Sequence, residues 1–208
     1  MNAPSRKRPL YLVLALLGAL ALGSMGACRG WITVSLYRGP VDMSLAGDGI
    51  ADEADRAAVV ARARAFLETL DAAKARGWPL AVASVILGGA VFTFAIRAMG
   101  GNAGSRPMLV QLVIAQAAVN ALNLLLLRDV SDANLRWGEA LQAARFRASP
   151  PEGWRPEEAM RLVSSVAPAV PIVELGLYTL ASALIVVALT RRRSRDLLDA
   201  GAEAVGGS

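Results

Sequence analysis

Along most of this chain, polar positions are gathered into blocks between long apolar runs. Pro9 to Cys28, Trp78 to Ile96 and Pro107 to Leu127 contain no charged residue. Each is long enough, at about 20 residues, to cross about 30 Å of hydrocarbon as a helix. A fourth run, Val170 to Thr190, carries one acid, Glu174, near its start and has Pro171 in its first turn, where a missing amide hydrogen is harmless. The pattern predicts an all-α integral membrane protein, a four-helix transmembrane bundle with spans at 9–28, 78–96, 107–127 and 170–190.

The stretches between the spans have a different period. Within 29–77, Val59, Ala63, Phe66, Leu67 and Leu70 recur at three and four residues and mark one face of a helix. Asp52, Glu53 and Asp55 suit its first turns, Lys74 and Arg76 its last, and Gly77 reads as its terminator. Within 128–169, Ser131 reads as the cap of a helix to about Arg147, with Leu135, Ala140, Leu141 and Ala144 on one face, ended by Pro150 and Pro151. A shorter helix is expected from Pro156, turning Met160 and Val163 inward. The two connections are thus expected to hold amphipathic helices that pack against each other, in a chain of two similar halves.

Charge gives these elements an orientation. The net charge is +5, and the excess is confined to Arg6, Lys7 and Arg8 before the first span, Arg97 and Arg106 between the second and third, and Arg191, Arg192, Arg193 and Arg195 after the fourth, the last four set against Asp196, Asp199 and Glu203. In 29–77 and in 128–169, acids and bases balance. By the positive-inside rule both termini are cytoplasmic and the two long connections are extracytoplasmic loops, with 191–208 a cytoplasmic tail. Trp31 and Trp78 then share the outer interface, a depth that suits indole. Short juxtamembrane clusters of this kind also argue against nucleic acid as a partner, despite a pI near 10.1.

Composition agrees and removes much chemistry. The 208 residues are 55% hydrophobic and 19% charged, with a mean hydropathy of +0.44, above the usual range of soluble domains. Histidine is absent and there is one cysteine, which excludes a Ser-His-Asp triad, His-ligated haem, thiolate zinc and an internal disulfide. Asp42, Ser44, Gly47 and Glu53 match places of a calcium loop, but Ala46 and Gly49 stand where a ligand and an apolar residue belong. No metal, cofactor or catalytic residue is expected, and the chain is read as not an enzyme.

The polar residues inside the spans are the remaining candidates. Gln116, Asn120 and Asn123 share one face of the third span, and Glu174, Tyr178 and Ser182 repeat at four-residue spacing in the fourth. Amides and acids in hydrocarbon need partners, so these stripes are expected to face other helices or a wet cavity. In the first span Ala15, Ala19, Gly23 and Ala27 form a small-residue stripe suited to close helix packing.

Cys28 admits two readings. Charge, greasy run and the small residues Gly26 and Ala27 before a cysteine resemble a lipoprotein signal, with lipidation at Cys28; Met25 stands where leucine is preferred. The packing stripe favours an uncut helix.

The functional expectation is a small multi-pass protein of a bacterial inner (cytoplasmic) membrane. It is read as a non-catalytic accessory, scaffolding or interaction subunit whose partners are the lipid bilayer and a membrane protein or a second copy in a homo-oligomer. The alternatives are a transporter or channel subunit with a polar path along the third and fourth spans, and a lipoprotein cleaved before Cys28.

Overall fold

The computed structural model describes residues 9–39, 46–102, 104–149, 155, 161, 164–192 and 194. Asp42 and Ser44, the segment around Pro156, and the basic residues Arg6, Lys7, Arg8, Arg193 and Arg195 lie outside them. The described residues are helical, with no strand among them. Their elements are α1 (Leu10–Arg38), α2 (Glu53–Ala72), α3 (Lys74–Met99), α4 (Ser105–Leu126), α5 (Arg128–Ala148), a short 3-10 turn (Ala167–Ala169) and α6 (Val170–Thr190). Four of them, α1, α3, α4 and α6, are long and apolar enough to cross a membrane, which suggests a membrane protein.

Helix α1 continues ten residues beyond the apolar run that predicted it. Neither Arg29 nor Gly30 stops a helix whose amides are already paired. Its 29 residues make a rod of about 43 Å at 1.5 Å per residue, longer than the hydrocarbon needs.

The chain divides into two compact units. The first comprises residues up to Ile32, Leu80–Ala121 and Gly176 onward. Its core joins Leu12, Leu16 and Ala19 of α1, Val91, Ala95 and Ala98 of α3, Leu109 and Val113 of α4, and Ile185 and Leu189 of α6. Large apolar side chains also point outward on every helix, among them Leu14, Ile86, Ile114, Leu177 and Leu184. An outer surface of that character belongs against lipid or protein.

Within this unit α1 and α3 approach until their backbones touch. A Cβ added at Gly23 would lie 2.7 Å from the Phe92 amide nitrogen and 2.9 Å from the Gly88 carbonyl oxygen. At Gly30 it would lie 2.8 Å from the Val85 nitrogen and 2.9 Å from the Ala81 oxygen, and at Gly88 it would strike the Ala27 nitrogen. Only glycine fits these places, because the space a side chain would need is occupied by the opposing main chain. The end of α6 is fastened to the start of α1: Ser194 is fully buried, its hydroxyl donates to the Ala188 carbonyl at 2.7 Å and lies 3.2 Å from the Tyr11 hydroxyl.

The second unit comprises Thr33–Pro79 and Leu122–Leu175. Helix α2 begins at Asp52, whose carboxylate accepts from the Asp55 amide at 2.8 Å, a standard N-cap bond. It packs antiparallel to α5: Phe66 stacks on Trp137 at 5.6 Å between ring centroids, Val59 and Ile50 pack with Ala144, and Arg147 pairs with Asp55 at the far end. The buried residues of α2 are Val59, Ala63, Phe66 and Leu70.

Two expected helix ends are placed differently. Gly77 does not terminate α2. That helix stops at Ala72, capped by the Ala73 amide bonding back to Thr69 and Asp71, and Gly77 lies inside α3 against the Tyr37 hydroxyl. A terminating glycine adopts positive φ, and among the described residues that conformation occurs only at Gly49 and Gly101. Gly77 is needed instead for room, since a Cβ there would overlap the phenol oxygen. Ser131 likewise caps nothing: α5 starts three residues earlier at Arg128, directly after α4, and the Ser131 amide donates to the Leu127 carbonyl at 2.9 Å. The kink at Leu127 suffices to separate the two helices.

Candidate functional site

The polar residues of α4 and α6 within the first unit are Gln116, Asn120, Tyr178 and Ser182. The two helices run antiparallel, since Leu109 near the start of α4 and Leu189 near the end of α6 share one core. Asn120 stands beside the side chain of Tyr178. One turn further toward the Leu109 end, at the same spacing on both helices, come Gln116 and Ser182.

Gln116 is turned toward α1. It is 1% exposed, its Nε2 donates to the Leu22 carbonyl at 3.4 Å, and its amide fills the notch left by Gly26, where a Cβ would overlap Nε2. A bond that long is weak, so the fit of the amide into the notch contributes more than the hydrogen bond. Its Oε1 and the Ser182 hydroxyl, itself 4% exposed, are buried without a hydrogen-bond partner.

Asn123 and Glu174 belong to the second unit. Neither is unpartnered, and Glu174 is exposed. Within the first unit, burial increases along both stripes toward the Leu109 end: Tyr178 and Asn120 are half-buried, and Ser182 and Gln116 are buried.

Of the small-residue stripe, Ala15 and Ala19 are buried, and Gly23 and the main chain of Ala27 meet α3. The sequence reading missed the other half of that seam, Gly30, Ala81 and Gly88. Gly23 and Gly30 of α1 lie seven residues apart, a visible spacing, but their partners on α3 are some fifty to seventy positions away. Cys28 is exposed and lies within the unbroken α1. Among the described residues, no cluster of three or more acids or cysteines is arranged to hold a metal ion.

Chemically, the buried stripe offers amide and hydroxyl dipoles and no charge. Such groups orient helices and can bind a neutral polar group; alone they supply neither a nucleophile with its base nor a proton relay. No family model, curated protein or solved structure matches this chain.

Proposed function

We propose that this protein is a non-catalytic accessory or scaffolding subunit of a bacterial inner membrane. It crosses the membrane four times with both termini cytoplasmic and presents α2 and α5, as amphipathic loop helices, on the extracytoplasmic side. The membrane reading is supported by the four apolar spans and the outward-facing apolar side chains, the orientation by the confinement of excess positive charge to three segments of one side.

The observation that carries the accessory reading is the burial gradient. Gln116 bonds to α1 and Asn120 stands beside Tyr178 of α6, which supports reading the polar stripes as links between helices. Interhelical bonds of this kind contribute about 0.6 kcal/mol on average, enough to fix register without any transported solute. The partner is read as another membrane protein or a second copy of this chain, and no nucleic acid is involved. The continuity of α1 through Cys28 supports an uncut first span.

The test is extraction from native membranes in mild detergent, with size analysis and mass spectrometry of the purified species. A stoichiometric partner or a homo-oligomer, with an intact and unlipidated chain, is expected. A monomer that conducts solute in proteoliposomes, with flux lost on Tyr178→Phe, would overturn the accessory role in favour of a path along α4 and α6.

A further inference from the structure

In the second unit, the last turn of α1 and the first turns of α3 border an open surface cavity of about 490 Å³ lined by Tyr37, Arg38, Lys74, Ala75, Trp78 and Pro79. We propose that it binds the headgroup of an anionic phospholipid, with the phosphate between Arg38 and Lys74. The proposal rests on the membrane reading of the spans and is independent of the accessory role.

Charge is the first argument. The lining holds two basic side chains and no acid, and both are exposed with no ion pair among the described residues. The dipoles of the α1 C-terminus and the α3 N-terminus oppose each other here, so the positive potential comes from the side chains. The adjoining cavity of about 340 Å³ shares Tyr37, Arg38 and Lys74 and adds Asp71 on its other side, so an anion is favoured on the Trp78 side of the two cations.

Geometry is the second. The Arg38 guanidinium lies 5.5 Å above the Trp78 ring, and Tyr37 packs edge-on to the same indole at 6.3 Å. A guanidinium over an indole face keeps N–H donors for an oxyanion. The Tyr37 ring is itself held by the Gly77 notch. The aromatic floor is thereby fixed in place.

A third feature separates lipid headgroups from one another. Pro79 lies inside α3 and has no amide hydrogen, so the carbonyl of Ala75, one of the lining residues, lacks its usual donor four residues on. A headgroup that carries hydroxyl donors beside its phosphate, as a phosphoglycerol does, answers both the cations and this acceptor. A choline headgroup has no donor and cancels the phosphate charge. The place is right for lipid, because the cavity opens where two apolar spans end and where indole and phenol rings favour the headgroup level.

The test is native mass spectrometry of the full chain in detergent, titrated with phosphatidylglycerol, phosphatidylcholine and, as a soluble phosphate, glycerol 3-phosphate. A cation near the headgroup contributes about fivefold, so two give a preference for phosphatidylglycerol over phosphatidylcholine of about thirtyfold. The preference should vanish in R38Q/K74Q and survive in R38K/K74R. Ala75→Glu, at an exposed helical position, adds an acid to the cavity without removing any packing and should also abolish it; circular dichroism checks that each variant is folded. Equal binding of the two lipids, or a preference retained in R38Q/K74Q or in Ala75→Glu, overturns the proposal. Displacement of phosphatidylglycerol by glycerol 3-phosphate at equal concentration would assign the cavity to a soluble anion and overturn the lipid. A folded chain that shows no lipid preference refutes this site and leaves the accessory role standing.

Discussion

The seam between α1 and α3 gives a prediction with an internal control, because Gly88 and Gly89 are neighbours on one helix with opposite surroundings. A Cβ at Gly88 would meet the Ala27 nitrogen and lie 2.7 Å from the Gly23 oxygen, while one at Gly89 has nothing within 4 Å. Both substitutions to alanine raise intrinsic helix propensity by the same amount, about 1 kcal/mol in water. Gly88→Ala must in addition force the two backbones apart by about 0.5–1 Å, which forfeits a quarter to a half of each dispersion contact along the seam. Overpacking of that kind costs about 1–3 kcal/mol. Because the propensity term cancels in the comparison, Gly89→Ala should be more stable than Gly88→Ala by about 1–3 kcal/mol. The assay is unfolding in mixed micelles at rising SDS, followed by circular dichroism, for both variants and the parent. If the two alanine variants agree to within about 0.3 kcal/mol, a difference no larger than ordinary non-additivity, the backbone contact inferred between Gly88 and Gly23 is wrong.

Three further outcomes follow from the same packing. Gln116→Met removes a weak bond and an unpartnered carbonyl together while nearly conserving volume, so its stability should stay within about 1.5 kcal/mol of the parent in the same SDS titration; a larger loss would mean that Gln116 makes a stronger interaction. Phe66→Ala opens a hole beside Trp137 and should cost about 3–5 kcal/mol, read as faster protease cleavage in α2 and α5. Asp129→Asn breaks an ion pair with Arg76 whose side chains are 47% and 49% exposed, and should cost no more than about 1 kcal/mol by thermal unfolding.

The four long apolar helices were legible because twenty apolar residues in a row allow few alternatives, and the α2 face because Val59, Ala63, Phe66 and Leu70 repeat at helical spacing and are all buried. Leu67, expected on that face, is only half-buried, at the edge of the contact with α5. What stayed hidden depends on distant partners. Gly77 has the same local signature as a helix stop, and only the Tyr37 hydroxyl, forty positions away in sequence, reveals that it is a notch. Ser131 looked like a cap because serine precedes an amphipathic pattern, but a helix can start directly from the end of its predecessor. In the candidate site, the sequence placed Gln116, Asn120, Tyr178 and Ser182 on polar stripes without indicating which are wet. That is settled by register between helices, which spacing within one helix does not contain.

The glycine seam has a mechanical consequence. Helices that meet through side chains can slip or rotate by changing rotamers, with each step small. Where main chain sits in a notch one atom deep, at Gly23, Gly30 and Gly88, there are no rotamers to exchange, and sliding requires lifting one helix clear of the other. The stretches of α1 and α3 joined by the seam therefore move as one stiff beam, and any gating or shape change within that unit has to be carried by α4 and α6.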